Sequence, residues 1–300
     1  MPRPRPMRIQ PALTLLACSL ALTACKTMTP SAVPTAATPT QQVPANDNLN
    51  AVNWMQRSAE YRASAETIYH AATERLDLLL ANRDEDALVA EERGNSARGL
   101  PPAVVLDIDE TVLDNSPYQA RLIDEDKEYA DVTWDQWVGE KKARAVPGAL
   151  AFTQAAARKG ITVFYVSNRA VHLKDATIAN LAALGFPLKD DSVFLGLGTF
   201  VKDCEQKGSE KLCRRKLVGQ KYRVLMQFGD QLGDFVQVLP NTPANRQTLA
   251  DKYASWWGER WFMLPNPSYG SWEPALFNNN WGQSRDARRK AKRDALDLAH

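Results

Sequence analysis

The chain has 300 residues, with 37 lysines and arginines against 35 aspartates and glutamates. So even a balance exerts no global pull on nucleic-acid polymers. The three histidines, His70, His172 and His300, form no Arg-His-Gly nucleophile motif, and no Gly-rich loop ends in the Lys-Ser or Lys-Thr of a nucleotide-phosphate cradle.

Residues 1–24 read as an export signal: Arg3, Arg5 and Arg8 precede an apolar run at 13–24. That run is too short for the roughly 20 residues of a spanning helix. It ends Leu22-Thr23-Ala24-Cys25, which resembles a bacterial lipobox. The resemblance implies cleavage before Cys25 and its acylation, and several acyl chains on one residue anchor stably where one would not. Lys26 follows in place of an aspartate, which implies an outer-membrane lipoprotein of a Gram-negative cell, facing the periplasm or the exterior. An ordinary signal peptide with an incidental cysteine is the alternative. Losing the three signal arginines leaves 34 basic against 35 acidic side chains. Residues 25–48, rich in Pro, Thr, Ala and Gln, cannot bury enough surface to fold and read as a flexible tether. About 250 residues remain, enough for one substantial core and a smaller lobe.

Residues 49–82 place Val52, Met55, Ala59, Ile68, Ala71, Leu76, Leu79 and Leu80 at helical spacing. With the charged loop that follows, 49–99 is expected to form the N-terminal part of the smaller lobe. An α/β alternation fills 100–265. The first strand runs from Ala103 to Asp107, and a polar, aromatic excursion carries Tyr118, Tyr129, Trp134 and Trp137. Pro147-Gly148-Ala149 opens a helix to Arg158. Further strands are expected at 161–166, 192–195, 223–228 and 260–264, with helices between them. Such an order means a parallel sheet covered on both faces. Residues 266–300 are expected to complete the small lobe. Their basic run at 285–293 reads as a solvated helix, or as a contact for anionic lipid or polymer.

The chemistry gathers at strand ends. Val104-Val105-Leu106-Asp107-Ile108-Asp109 is a buried strand ending in two carboxylates, which are costly there unless paired or bound to metal. Ligands of open α/β sheets bind outside the carboxyl ends of strands. Ser167 and Asp230 also fall at strand ends, so the fold could bring them to Asp107.

Asp107-Ile108-Asp109-Glu110-Thr111, then Ser167, a lysine, and Gly229-Asp230-Gln231-Leu232-Gly233-Asp234 resemble the four motifs of the haloacid-dehalogenase-like phosphohydrolases. The resemblance is closer still to the class C acid phosphatases, bacterial outer-membrane lipoproteins. It is carried by Leu113-Asp114-Asn115-Ser116-Pro117-Tyr118, Val163-Phe164-Tyr165-Val166-Ser167-Asn168-Arg169 and Leu264-Pro265-Asn266-Pro267-Ser268-Tyr269-Gly270-Ser271-Trp272-Glu273, and spans roughly residues 50–277. It implies a Rossmann-like α/β core with a smaller, mainly helical lobe from both chain ends. It also implies an Mg²⁺-dependent acid phosphatase acting on small phosphomonoesters, 5′-nucleotides among them, through an aspartyl-phosphate.

On that resemblance Asp107 is the nucleophile and Asp109 the general acid and base. Mg²⁺ is held by the Asp107 carboxylate, the Asp109 backbone carbonyl and Asp230, with Asp234 as a water-mediated or outer partner. Ser167 bonds a phosphate oxygen. Lys211, with Lys207 and Lys216 as alternatives, neutralises phosphate charge. Trp134 and Tyr269 stack on the leaving group, or else pack between lobes. Cys204 and Cys213 are expected as a disulfide beside an insertion at 196–208, with two free thiols the alternative. Neither fits a cysteine-dependent phosphatase, since Glu210 and Gly219 stand where its arginine belongs. Two other functions stay open: a binding or adhesion lipoprotein on a silenced fold, and a phosphotransferase. The oligomeric state, a homodimer included, stays open too.

Overall fold

The computed structural model describes residues 45–299. The expected signal at 1–24, the expected lipid-attachment residue Cys25 and nearly all of the expected tether at 25–48 lie outside them. Ala45–His300 is one compact unit. No helix among the described residues is long and apolar enough to cross a membrane.

The expected first helical region is two helices, α1 (Leu49–Arg57) and α2 (Ala59–Ala81). Ser58 divides them: its backbone is extended, and its hydroxyl accepts from Tyr61 N at 3.0 Å, capping α2. Tyr61, Ala65, Tyr69, Ala72, Leu76 and Leu79 form the buried stripe of α2. Five of these, all but Tyr61, join the same core as the sheet. Tyr69 shows why, stacking on Phe228 at 5.4 Å.

β1 (Pro102–Leu106) leads to β2 (Leu113–Asp114), α3 (Ser116–Asp124), α4 (Asp131–Glu140) and β3 (Arg144–Ala145). α5 (Ala149–Arg158) starts beneath Tyr69, where Gly148 takes φ 87°; a side chain there would meet Tyr69 Cβ at 2.9 Å. Next come β4 (Thr162–Ala170), α6 (Lys174–Leu184), β5 (Phe194–Leu197), α7 (Leu212–Lys221) and β6 (Arg223–Gly229). α8 (Pro243–Lys252), β7 (Trp261–Met263), α9 (Trp272–Ala275) and α10 (Arg285–Asp294) complete the chain. The third sheet strand begins two residues later than expected, because Asp190 Oδ1 accepts from Ser192 N at 2.8 Å and winds 191–193 into a 3-10 turn.

The five-stranded sheet runs β5-β4-β1-β6-β7, with every pair parallel. From β1 the chain builds outward on one side, through β4 and β5. It then crosses over to build β6 and β7 on the other. β1 is therefore the switch point, and a crevice opens at its carboxyl end between β4 and β6. Val105 faces Phe164 of β4 and Gln227 of β6, so the three strand ends stand abreast. At a spacing of about 4.8 Å between strands, Asp107, Ser167 and Asp230 become neighbours although 123 residues separate the first from the last.

Candidate active site

Asp107 lies one residue past β1, its amide still donating to Phe228 O at 2.9 Å. Its carboxylate is buried, and Lys211 Nζ is bonded to Oδ1. The same ammonium lies 2.7 Å from Asp234 Oδ1. Lys211 is thus the lysine of the site. Lys207 is exposed and Lys216 half-buried, and neither side chain makes a hydrogen bond among the described residues. Burial disfavours the Lys211 charge, but Asp107 and Asp234 outweigh it and raise its pKa.

Asp107, Asp230 and Asp234 each bring a carboxylate oxygen within 4.8 Å of the others. Burial first, then mutual repulsion, raises Asp107 and Asp230 above the usual carboxylate range, Lys211 opposing this at Asp107. Three converging oxygen donors whose charges lack full compensation fit a small hard divalent cation. Their neighbours sort them. Asp234 has Lys211 on Oδ1, and its Oδ2 accepts from Gln231 N at 3.0 Å, which suits an outer partner. Asp230 accepts on Oδ2 alone among the described residues, from Asn266 Nδ2 at 2.7 Å and Gln231 Nε2 at 3.5 Å. Gly229 makes the arrangement feasible, since any side chain there would overlap Asp234.

Asp109 faces other company. Its Oδ1 accepts from Arg169 Nε and Asn115 Nδ2, each at 2.9 Å, and its Oδ2 from Ser167 Oγ at 3.3 Å. Trp137 Nε1 holds Asn115 at 2.8 Å. Glu110, at φ 57°, turns the chain back and carries its own buried carboxylate. The hydroxyl of Tyr269 donates to it, and Asn115 N donates to its other oxygen at 2.6 Å. Burial, reinforced by Asp109, pushes Glu110 up to about 8, and burial followed by Glu110 raises Tyr269.

The two expected stacking rings are placed differently. Trp134 packs edge-on to Tyr118 at 5.2 Å, and the Arg169 guanidinium lies 5.5 Å from its ring. Tyr269 belongs to no ring pair among the described residues and is fixed through its hydroxyl. Cys204 and Cys213 are disulfide-bonded, with Cα atoms 5.7 Å apart, immediately beside Lys211.

Several working residues had no assigned role in the sequence. Arg169 is two residues beyond Ser167 in β4, and strand alternation alone puts both on one face; that signal was available. Arg214 reaches Ser167 O and, at 2.8 Å, Asn168 Oδ1. Arg215 pairs with fully buried Glu92 at 2.7 Å and donates to Gly233 O at 2.7 Å. No local pattern marks Glu92, which lies 123 residues from its partner.

Comparison with known proteins gives a consistent result. The model of a family described as acid phosphatases of the HAD superfamily, subfamily IIIB, matches residues 13–272. "Acid phosphatase 1" of Solanum lycopersicum is 27% identical over 165 residues, covering 55% of this chain and 57% of that protein. The chain spans only 55–58% of the length of the curated relatives it matches. The class C acid phosphatase from Bacillus anthracis is 34% identical with a TM-score of 0.73, covering 84% of this chain and 98% of that one. A crystal structure of that enzyme with tungstate bound matches equally.

Proposed function

Because the chain belongs to the acid phosphatases of the HAD superfamily, subfamily IIIB, we propose that it hydrolyses small phosphomonoesters, 5′-nucleotides among them, through an aspartyl-phosphate with Mg²⁺. The observation that carries this reading is the pairing of buried Asp107 with Lys211 at the end of the central strand, beside Asp230 and Asp234.

A carboxylate oxygen of Asp107 attacks phosphorus as the bond to the ester oxygen breaks. Asp109 gives its proton to the departing oxygen. Water then attacks the phosphorus of the acyl phosphate while Asp109 takes its proton, the Asp107 oxygen–phosphorus bond breaks, and inorganic phosphate leaves. Lys211 keeps Asp107 oriented and balances charge on the phosphoryl oxygens. Arg169, Asn115 and Ser167 fix Asp109 on the leaving-group side. A divalent cation held by Asp107 and Asp230, with Asp234 behind, would screen the carboxylates from the phosphate dianion. A lipid anchor at Cys25 in the outer membrane completes the proposal; it rests on Leu22-Thr23-Ala24-Cys25.

The test is hydrolysis of a 5′-nucleotide and an aryl phosphate by the unit Ala45–His300, with Mg²⁺ and with EDTA. Activity that disappears in EDTA and returns with Mg²⁺ is expected. A protein inert with metal from about pH 4 to pH 8 sinks the reading and favours a binding lipoprotein. For the anchor, Cys25→Ser should move the full chain from the membrane to the soluble fraction.

A further inference from the structure

The basic C-terminal run uses its charge within the protein. α10 carries six basic and two acidic side chains. Five of the six basic ones are paired: Arg285 with Asp126 at 2.9 Å, Arg288 with Glu128, Arg289 with Asp47 at 2.7 Å, Lys290 with Asp294 at 2.6 Å and Lys292 with Glu273 at 2.9 Å. Four of these acids lie outside the helix and offset its surplus, which leaves little net charge to attract an anionic surface.

The pairs are not equal. Arg285–Asp126 is exposed on both sides, and such pairs hold weakly. Arg288 is only 8% exposed. It donates to Trp281 O at 3.1 Å and Gln283 O at 2.6 Å, and its guanidinium lies 5.4 Å from the Trp281 ring. Backed in this way on the arginine side, it makes a charge-assisted bond to Glu128, whose side chain is half exposed.

Glu128 belongs to the connection between α3 and α4, and Tyr129 follows it. The Tyr129 ring, 58% exposed, lies 6.2 Å from Trp134 and 6.4 Å from Tyr118. Trp134 in turn covers Arg169, which holds Asp109. A continuous line of contacts therefore joins α10 to the leaving-group side of the site. α10 also lies beyond residue 272, where the family match ends.

We infer that α10 is a strap that sets the aromatic wall formed by Tyr129 and Trp134, with Arg288 as a positioning residue acting through Glu128. The wall favours phosphomonoesters with a flat aromatic or nucleoside leaving group over simple alkyl esters. The preference rests on the proposed phosphatase activity; the latch between Arg288 and Glu128 does not.

Two readouts test it on the full chain. Hydrogen exchange of the amides at 125–131 is compared in the wild type, Glu128→Gln and Arg288→Met. KM and kcat are measured with 4-nitrophenyl phosphate and with glycerol phosphate. Faster exchange confined to 125–131 is expected in both variants. The KM for the aryl ester should rise about fivefold, a fraction of the worth of one stacked ring, while its kcat and both constants for glycerol phosphate hold. Unchanged exchange in Glu128→Gln overturns the latch, and that variant keeps the test decisive should Arg288→Met misfold. Equal rises in KM for both esters, or no rise, overturn the leaving-group role. If the wild type hydrolyses neither ester, the proposed function fails and the leaving-group role with it, while exchange still decides the latch.

Discussion

Asp107 and Asp109 are two residues apart and chemically identical, yet they sit in opposite surroundings. Asp107 is buried among Asp230 and Asp234 with one lysine against it. Asp109 is held by an arginine, an amide and a hydroxyl. The first setting concentrates negative charge and calls for a cation. The second orients a carboxylate without crowding it with others. Neighbours brought in by different elements, and not the residue type, would divide the labour between the proposed nucleophile and the proposed proton carrier.

The comparison can be broken most severely at Asp107. Asp107→Asn should reduce kcat by about 10⁴-fold or more for every ester, since it removes the attacking oxygen. Stopped-flow or radiolabel trapping of a phosphorylated protein would check that no intermediate accumulates. A variant within tenfold of the wild type would refute the assignment. At Asp109 the loss should depend on the substrate. In a single turnover, Asp109→Asn should slow the release of glycerol from glycerol phosphate by about 10³-fold, but much less the burst of 4-nitrophenolate from 4-nitrophenyl phosphate, whose phenolate leaves without help. The later hydrolysis of the acyl phosphate, which also uses Asp109, is common to both. Equal losses would mean that Asp109 is not the leaving-group acid.

Lys211→Met leaves two buried carboxylates without their cation. It should cost roughly 3 kcal/mol of stability in EDTA by urea unfolding, and saturating Mg²⁺ should restore part of it. The smallest effect is on pH dependence. Burial raises Asp107, Glu110 and Asp230 above their unfolded values, so the folded state binds more protons than the unfolded one. The stability they contribute is complete below the unfolded carboxylate range, near about pH 4, and is lost as pH rises through the raised values. In EDTA the melting midpoint should therefore fall by a few degrees between about pH 5 and pH 8. Asp230→Asn should flatten that slope; an unchanged slope would show that these groups do not titrate there.

The sequence made the nucleophile half more legible than the acid half. Asp107 and Asp230 follow apolar runs, Asp234 comes four residues after Asp230, and Gly229 marks a backbone that must come close to a side chain. Lys211 stood among three lysines, and only the fold singled it out. Arg169 could be placed on the face of Ser167 by alternation, but its bond to Asp109 depends on β4 continuing to Ala170 instead of stopping at 166. The same polar residues that suggested a strand end are the last residues of the strand. Glu92–Arg215 and Arg288–Glu128 pair across more than a hundred residues, and no local periodicity encodes such partners. The break at Ser58 was missed because apolar spacing continues across it, while the cap depends on one hydroxyl.

α7 and its capping residue hold Lys211, Arg214 and Arg215, and each reaches a different segment: Asp107 beyond β1, Ser167 within β4, and Gly233 beyond β6. A helix turns about 100° per residue. Inserting or deleting one residue within this stretch would rotate all three cations away from their partners at once. Length changes upstream of Cys204 avoid that penalty, because the Cys204–Cys213 bond pins the chain to the first turn of α7. Length changes should therefore be tolerated upstream of Cys204 and forbidden a few residues later, a boundary as sharp as a reading frame.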